Sequence, residues 1–197
     1  MSKPISTSDQ ILACARTLIL SGGYNGFSYA DVAGVVGIRK ASVHHHFASK
    51  VDLVRTLVSR YRDEAAAGFA ELGRQIADPL EELRAYAGYW ERCIGDGSAP
   101  FCICALLASE LPALPEDVAR EVQAFFRGLS AWLTGVFERG EQQGRFRLTS
   151  PPHIEAEMFI ATAHGAMLSS RAYADPKMFG AIMAPLLERL SAQRSNH

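Results

Sequence analysis

Three sets of residues in this 197-residue chain have the types and spacing to do chemistry. Arg39, Lys40, Ser42, His44 and His45 crowd into one short stretch, with Ser28 ahead of them and Lys50 just beyond. All of these side chains can donate hydrogen bonds and several carry charge, which suits the phosphate oxygens and base edges of a nucleic acid. His44, His45 and His46 are consecutive and invite a metal site. On a helix, however, neighbours point about 100° apart, whereas helical zinc ligands sit at i and i+4, so no metal is expected. The third set is Cys14, Cys93, Cys102 and Cys104. Cys102 and Cys104 would lie on opposite sides of a helix and do not pair; Cys93 and Cys102 flank a short loop and can approach. No nucleophile–base pair and no phosphate-binding glycine loop accompanies these groups, so neither an enzyme nor a cofactor is expected.

The elements that must position the basic stretch are short helices. Ser28 and Asp31 have capping-box spacing, and Tyr29, Val32, Ala33 and Val36 follow as an apolar helical face. Gly37 stands where the chain must turn sharply. A second helix is predicted over about Arg39–His46, and Ser49 with Asp52 makes the capping box of the next. Helix, glycine turn, helix is the helix-turn-helix motif, whose second helix enters the DNA major groove. Val43 and Phe47 share one face and should anchor that helix, with His46 packed beside Val43. Arg39, Lys40, Ser42, His44 and His45 are left for the DNA. Arg39 and Lys40 lie at the N-terminal end, which usually reaches base edges, and either can pair with guanine or rest on phosphate.

The run Gly37-Ile38-Arg39-Lys40-Ala41-Ser42-Val43-His44-His45-His46-Phe47, then Ser49-Lys50 and Leu53, resembles the TetR family of bacterial transcriptional regulators. That family shows Gly-Val-Ser-x-(Gly/Ala)-(Ser/Thr)-(Leu/Ile)-Tyr-x-(His/Tyr)-Phe followed by Ser-Lys-x-x-Leu. The segment Gly22–Ser28 resembles the family's link between its first two helices, and the likeness extends over roughly residues 8 to 60. It implies a phosphate contact for Lys50. His44 replaces a Tyr that commonly touches phosphate; an imidazole can donate in its place, with added pH sensitivity. The resemblance further implies an all-α, nine-helix architecture, with an effector-binding and dimerising body behind the head.

Charge is laid out in agreement with this. Residues 1–62 carry eight Lys and Arg against three Asp, a net of +5, while the remainder is at −6 and the whole chain at −1. A basic head neutralises phosphates; an acidic body does not seek them. The N-terminus lacks the apolar core of a signal peptide, and no apolar run approaches the ~20 residues that span a bilayer. Four irregularly spaced cysteines do not make a secreted disulfide framework. A cytoplasmic protein with reduced thiols and no membrane partner is expected.

Helical periodicity continues along the rest of the chain, without an alternating strand. Helices are predicted over about Ser8–Ser21, with Thr7 and Gln10 as its capping box, and from Ser49 to Arg74. Others run from Asp78-Pro79 to Ile94, Phe101 to Leu111, Glu116 to Gln143, Pro151-Pro152 to Tyr173, and Asp175-Pro176 to Ala192. Residues 1–50 are read as the DNA-binding domain, about 50–74 as a linking helix, and 75–197 as the body. Trp90, Phe126, Trp132 and His164 are the candidate lining of a mainly apolar effector pocket, although such stripes are commonly plain core. Ala156, Ile160, Ala163 and Met167, with Met183, Leu186, Leu187 and Leu190, form apolar faces on the last two helices. The resemblance implies that these pair with a second copy across a two-fold axis; the plainer reading is that they are buried within one chain. Cys102 would sit at the positive end of its helix and carry the reactive thiol of an oxidant or electrophile sensor, with Cys93 or Cys104. Inert buried cysteine is the plainer alternative. The expected function is a repressor released from a palindromic operator by a small molecule, or one governed by its thiols.

Overall fold

Caps and glycines set the helix boundaries in the structure, a computed structural model that describes residues 6–191. Ser6 starts α1 (Thr7–Gly22): its Oγ accepts from the Asp9 N–H at 3.1 Å and donates to the Asp9 carboxylate at 2.7 Å. The cap is therefore Ser6 with Asp9, one residue upstream of the expected Thr7 and Gln10. A charged carboxylate at the third helical position answers the serine better than an amide at the fourth. Then come α2 (Tyr29–Val36), α3 (Lys40–His46), α4 (Lys50–Gln75), α5 (Pro79–Gly95) and α6 (Ile103–Ser109). After them run α7 (Glu116–Gln142), α8 (Pro152–Ala172) and α9 (Lys177–Leu190). Two short 3-10 turns and one isolated bridge, Phe146 to Ser191, complete the described residues, so the class is all-α with nine helices among them. The expected end of the last helix at Ala192 lies outside the described residues, as do 1–5 and 192–197 of the two expected domains.

Two compact units can be distinguished. The first comprises the described residues up to Glu64 together with Ile103–Phe126. Its core is built from Ile11, Ala15 and Ile19 of α1, Val32 of α2, Val43 of α3, and Leu53, Val54 and Val58 of α4, all with essentially no exposure. The segment 103–126 joins this unit through specific contacts. The Tyr24 N–H donates to Glu110 Oε2 at 2.8 Å, Arg62 pairs with Glu121, and Tyr61 lies 5.4 Å from Phe125. These partners are far apart in sequence and lie on either side of residue 75.

The second unit comprises Ala65–Cys102 and the described residues from Arg127 onward. An aromatic chain runs through it: Phe69 stacks on Trp132 at 4.3 Å, Trp132 tilts against Tyr86, and Tyr86 and Phe137 each meet Phe159. Two buried carboxylates are fully engaged. Glu82 accepts from the Trp132 indole at 2.9 Å and pairs with Arg139. Glu155 accepts the N–H groups of Thr149 and Ser150, at 3.0 and 2.9 Å, which fixes the entry to α8. A buried carboxylate without such partners would not be tolerated.

The face that α8 and α9 turn inward corrects the expected pairing surface. Ala156, Ile160, Ala163 and Met167 are buried within the chain's own core, as are Met183, Leu187 and Leu190, and Leu186 is half-buried. Helical spacing identifies a face but not what covers it, and α9 packs against both α5 and α8. The exposed apolar side of α8 is a different one, marked by Ile154, Met158 and Leu168, with Ala161 and Gly165 between them.

Candidate nucleic-acid interface

The basic stretch is held by a sequence of local devices. Ser28 caps α2 in a complete capping box: its N–H and hydroxyl both donate to Asp31 Oδ2 at 2.7 Å, and its Oγ accepts from the Ala30 N–H. The hydrogen bonds from the Ser28 hydroxyl and backbone hold the Asp31 carboxyl below the usual carboxylate range. Gly37 ends the helix at φ +76°, a left-handed conformation that a side chain would strain, and the N–H groups of Gly37 and Ile38 both return to the Ala33 carbonyl. Arg39 is then extended and caps α3 without using its side chain, so it stands just before the helix rather than in its first turn.

Within α3 the expected division holds for the anchors: Val43 is completely buried and Phe47, just past the helix end, nearly so. Arg39, Lys40, His44 and His45 are exposed and Ser42 is half-buried. His46 is a correction. It was expected to pack beside Val43, yet it is exposed, with its ring 5.5 Å from that of His45 in an edge arrangement. In a seven-residue helix the buried side is one residue wide, and Phe47 has already left the helical path to fill the place beside it.

Tyr29, read from sequence only as part of an apolar face, clamps the end of α3. Its hydroxyl donates to the Phe47 carbonyl at 2.9 Å and its ring lies edge-on to His44 at 4.7 Å. Burial, helped by the charge of Asp52, pushes the Tyr29 phenol up to about 12. His44 is tethered from its other side, its Nδ1 lying 3.3 Å from the Ala48 carbonyl oxygen. A carbonyl can only accept, so the contact is a hydrogen bond in the tautomer that carries its hydrogen on Nδ1.

Lys50 is half-buried and has partners within the head. Its ammonium donates to the Phe27 carbonyl and sits 4.2 Å from the Phe27 ring centre and 4.8 Å from that of Tyr24. Desolvation lowers its pKa, and the charges of Asp31 and Glu110 oppose that. One of its three N–H donors is thus engaged in holding the connection between α1 and α2.

The remaining candidates fall in separate places. Trp90 is buried edge-on to Tyr89, Trp132 is half-buried in the aromatic chain, and His164 is half-buried on α8, all in the second unit. Phe126 belongs to the first unit, edge-on to Phe125. None of the four cysteines forms a disulfide. Cys102 and Cys104 are completely buried, Cys93 is half-buried, and burial pushes the Cys14 thiol up. Since α6 starts at Ile103, Cys102 precedes the helix instead of opening it.

Two family models match the chain. Residues 11–57 match the family described as bacterial regulatory proteins, tetR family, and residues 79–186 match the tetracyclin repressor-like C-terminal domain. A transcriptional regulator of the TetR family from Agrobacterium tumefaciens, known from its crystal structure, is 64% identical, with a TM-score of 0.93 over 96% of this chain and 100% of that one. The transcriptional repressor NemR of Escherichia coli is 23% identical over 84% of each chain. With the repressor KstR2 of Mycolicibacterium smegmatis the identity is 29% over 42% of this chain, which spans only 40% of that protein. Among the described residues no helix is long and apolar enough to cross a membrane, and no cluster of His, Cys, Asp and Glu could hold a metal ion. The chain belongs to the TetR family of bacterial transcriptional regulators, and it is a DNA-binding regulator rather than an enzyme.

Proposed function

We propose that the protein is a homodimeric repressor which a small, mainly apolar molecule releases from a roughly palindromic operator. The observation that carries the DNA side is α3 itself: Val43 and Phe47 anchor it while Arg39, Lys40, His44 and His45 face solvent. Arg39 and Lys40 would read bases or phosphates at the helix's leading end, and Ser42, His44 and His45 would follow along the groove, with Ser28 and Lys50 at its rim. The relatives NemR and KstR2 bear the name of repressors, which supports the sign of the regulation. The dimer would form through α8 and α9, using the exposed face of Ile154, Met158 and Leu168 in place of the buried stripe. Two-fold symmetry then sets the recognition helices one DNA turn apart, ~34–36 Å, hence the palindrome.

Trp90, Phe126, Trp132 and His164 remain the candidate effector contacts. Release would be a population shift: the effector binds better to a state whose heads are wrongly spaced for DNA, and α4, continuous from Lys50 to Gln75, carries the change. The thiol reading is the weaker one, because Cys102 and Cys104 have no exposed surface, leaving Cys93 as the accessible thiol.

Selection of duplexes from a random library, followed by binding at two salt concentrations with and without a mild oxidant, tests this directly. Recovery of palindromic sites, with salt-sensitive affinity indifferent to the oxidant, is the expected result. Failure to enrich any sequence would sink the operator reading, and oxidant-reversible release would restore the thiol sensor.

A further inference from the structure

Val43 is the one buried residue of α3, so it fixes the roll of that helix on the head. The Tyr29 hydroxyl on the Phe47 carbonyl, at 2.9 Å, pins the far end in the same roll. At about 100° per residue, Ala41 and His45 fall within about 20° of the line diametrically opposite Val43. Both are exposed. Ser42 and His44 lie to either side of that line, and Lys40 and His46 sit nearer the anchored side, about 60° from Val43. Arg39 precedes the helix in extended backbone. The long cations therefore rise from the flanks. The outermost line of α3 belongs to a methyl group and, one turn on, an imidazole ring.

The Ala41 side chain has neither a donor nor an acceptor, which decides what it can meet. In the major groove every base pair presents polar edges, and the one apolar feature is the C5 methyl of thymine. A methyl pressed on a polar edge would strip its water and return no hydrogen bond. Against the thymine methyl, water leaves two apolar surfaces at once. Alanine is also the shortest side chain, so the helix backbone can approach the bases closely at this residue. His45 reaches further out and lies edge-on to His46 at 5.5 Å. A short side chain ahead and a long one behind bring the leading end of α3 deepest, the end that usually reaches base edges.

We propose that Ala41 is a specificity-determining residue, whose methyl packs on the C5 methyl of one thymine in each operator half-site. This rests on the reading that α3 docks in the major groove. The contact carries no charge, so it discriminates between base pairs and leaves the salt dependence to the cations. Removing the thymine methyl should weaken binding about fourfold per half-site, the worth of one buried methyl.

The test uses the full chain and the duplex it enriches most strongly from a random library. Each thymine is replaced in turn by deoxyuridine, which pairs identically and lacks only the C5 methyl. Wild type should lose about fourfold at one position of each half-site, equally at two salt concentrations. Ala41→Gly should bind the parent duplex more weakly and lose nothing further at that position, while His45→Gln keeps the wild-type loss there. Because glycine also weakens a short helix, Ala41→Ser is put through the same library selection. Its enriched site should drop the thymine at that base pair and keep the others. The contact is overturned if deoxyuridine is tolerated at every position, if the loss persists in a folded Ala41→Gly, or if Ala41→Ser enriches the same site as wild type. Failure of wild type to enrich any sequence would instead remove the docking reading of α3, and this contact with it.

Discussion

Gly23 carries two constraints at once. Its φ of +74° lies in the region open chiefly to glycine, and a Cβ there would collide with the Glu110 carboxylate, which accepts the neighbouring Tyr24 N–H. Gly23→Ala should therefore cost about 1–3 kcal/mol, read as a fall in denaturant midpoint. Glu110→Ala removes the collision and leaves the dihedral strain. The double variant should consequently lose less stability than the two single variants' costs added together. Strict additivity would mean the carboxylate does not press on the turn. Tyr29 supplies a second test at this scale. Its phenol is raised to about 12 from 10.0, so the neutral form belongs to the folded state. That contribution is complete below the unfolded pKa and is lost as pH rises through the folded one. Melting temperature should decline over this alkaline window, and Tyr29→Phe should decline less, from a lower start because the Phe47 carbonyl loses its donor.

Helix α8 shows what an element can conceal. It has two apolar sides: Phe159, Ala163 and Met167 face the core, while Ile154, Met158 and Leu168 face out. Leu168→Glu and Met158→Glu should yield a folded monomer by light scattering, with the near-ultraviolet signal retained, if that outer face joins two copies. Ile160→Glu, which buries a charge in the chain's own core, should instead unfold the protein. A dimer that survives Leu168→Glu would exclude this face. Local signals made much of the head legible in sequence: the Ser28–Asp31 box, the Gly37 turn, and Val43 with Phe47 as anchors are written in adjacent residues. Less legible were features decided by distant partners. The inward turn of Lys50 depends on the Phe27 carbonyl, and the place of Glu110 depends on Gly23. For α8 the pattern itself is ambiguous, since a helix with two apolar sides gives no preferred direction inward.

At the scale of the whole chain, a net charge near zero conceals a basic N-terminal part at +5 and a remainder at −6. Affinity for DNA counts only the cations that meet phosphates, so its salt dependence should reflect the head and ignore the rest. Arg39→Gln or Lys40→Gln should flatten the log–log salt slope by about one unit for each phosphate no longer neutralised, with the melting temperature unchanged. Glu138→Gln, an exposed site on α7, should leave the slope alone. Lys50 divides the two roles a cation can play. Its ammonium is desolvated and bound to Phe27, so Lys50→Gln should lower the melting temperature and move the slope less than Arg39→Gln does. If Lys50→Gln flattened the slope fully and melted like wild type, its remaining N–H donors would be the ones that matter, and Lys50 would be a phosphate contact first and a clamp second.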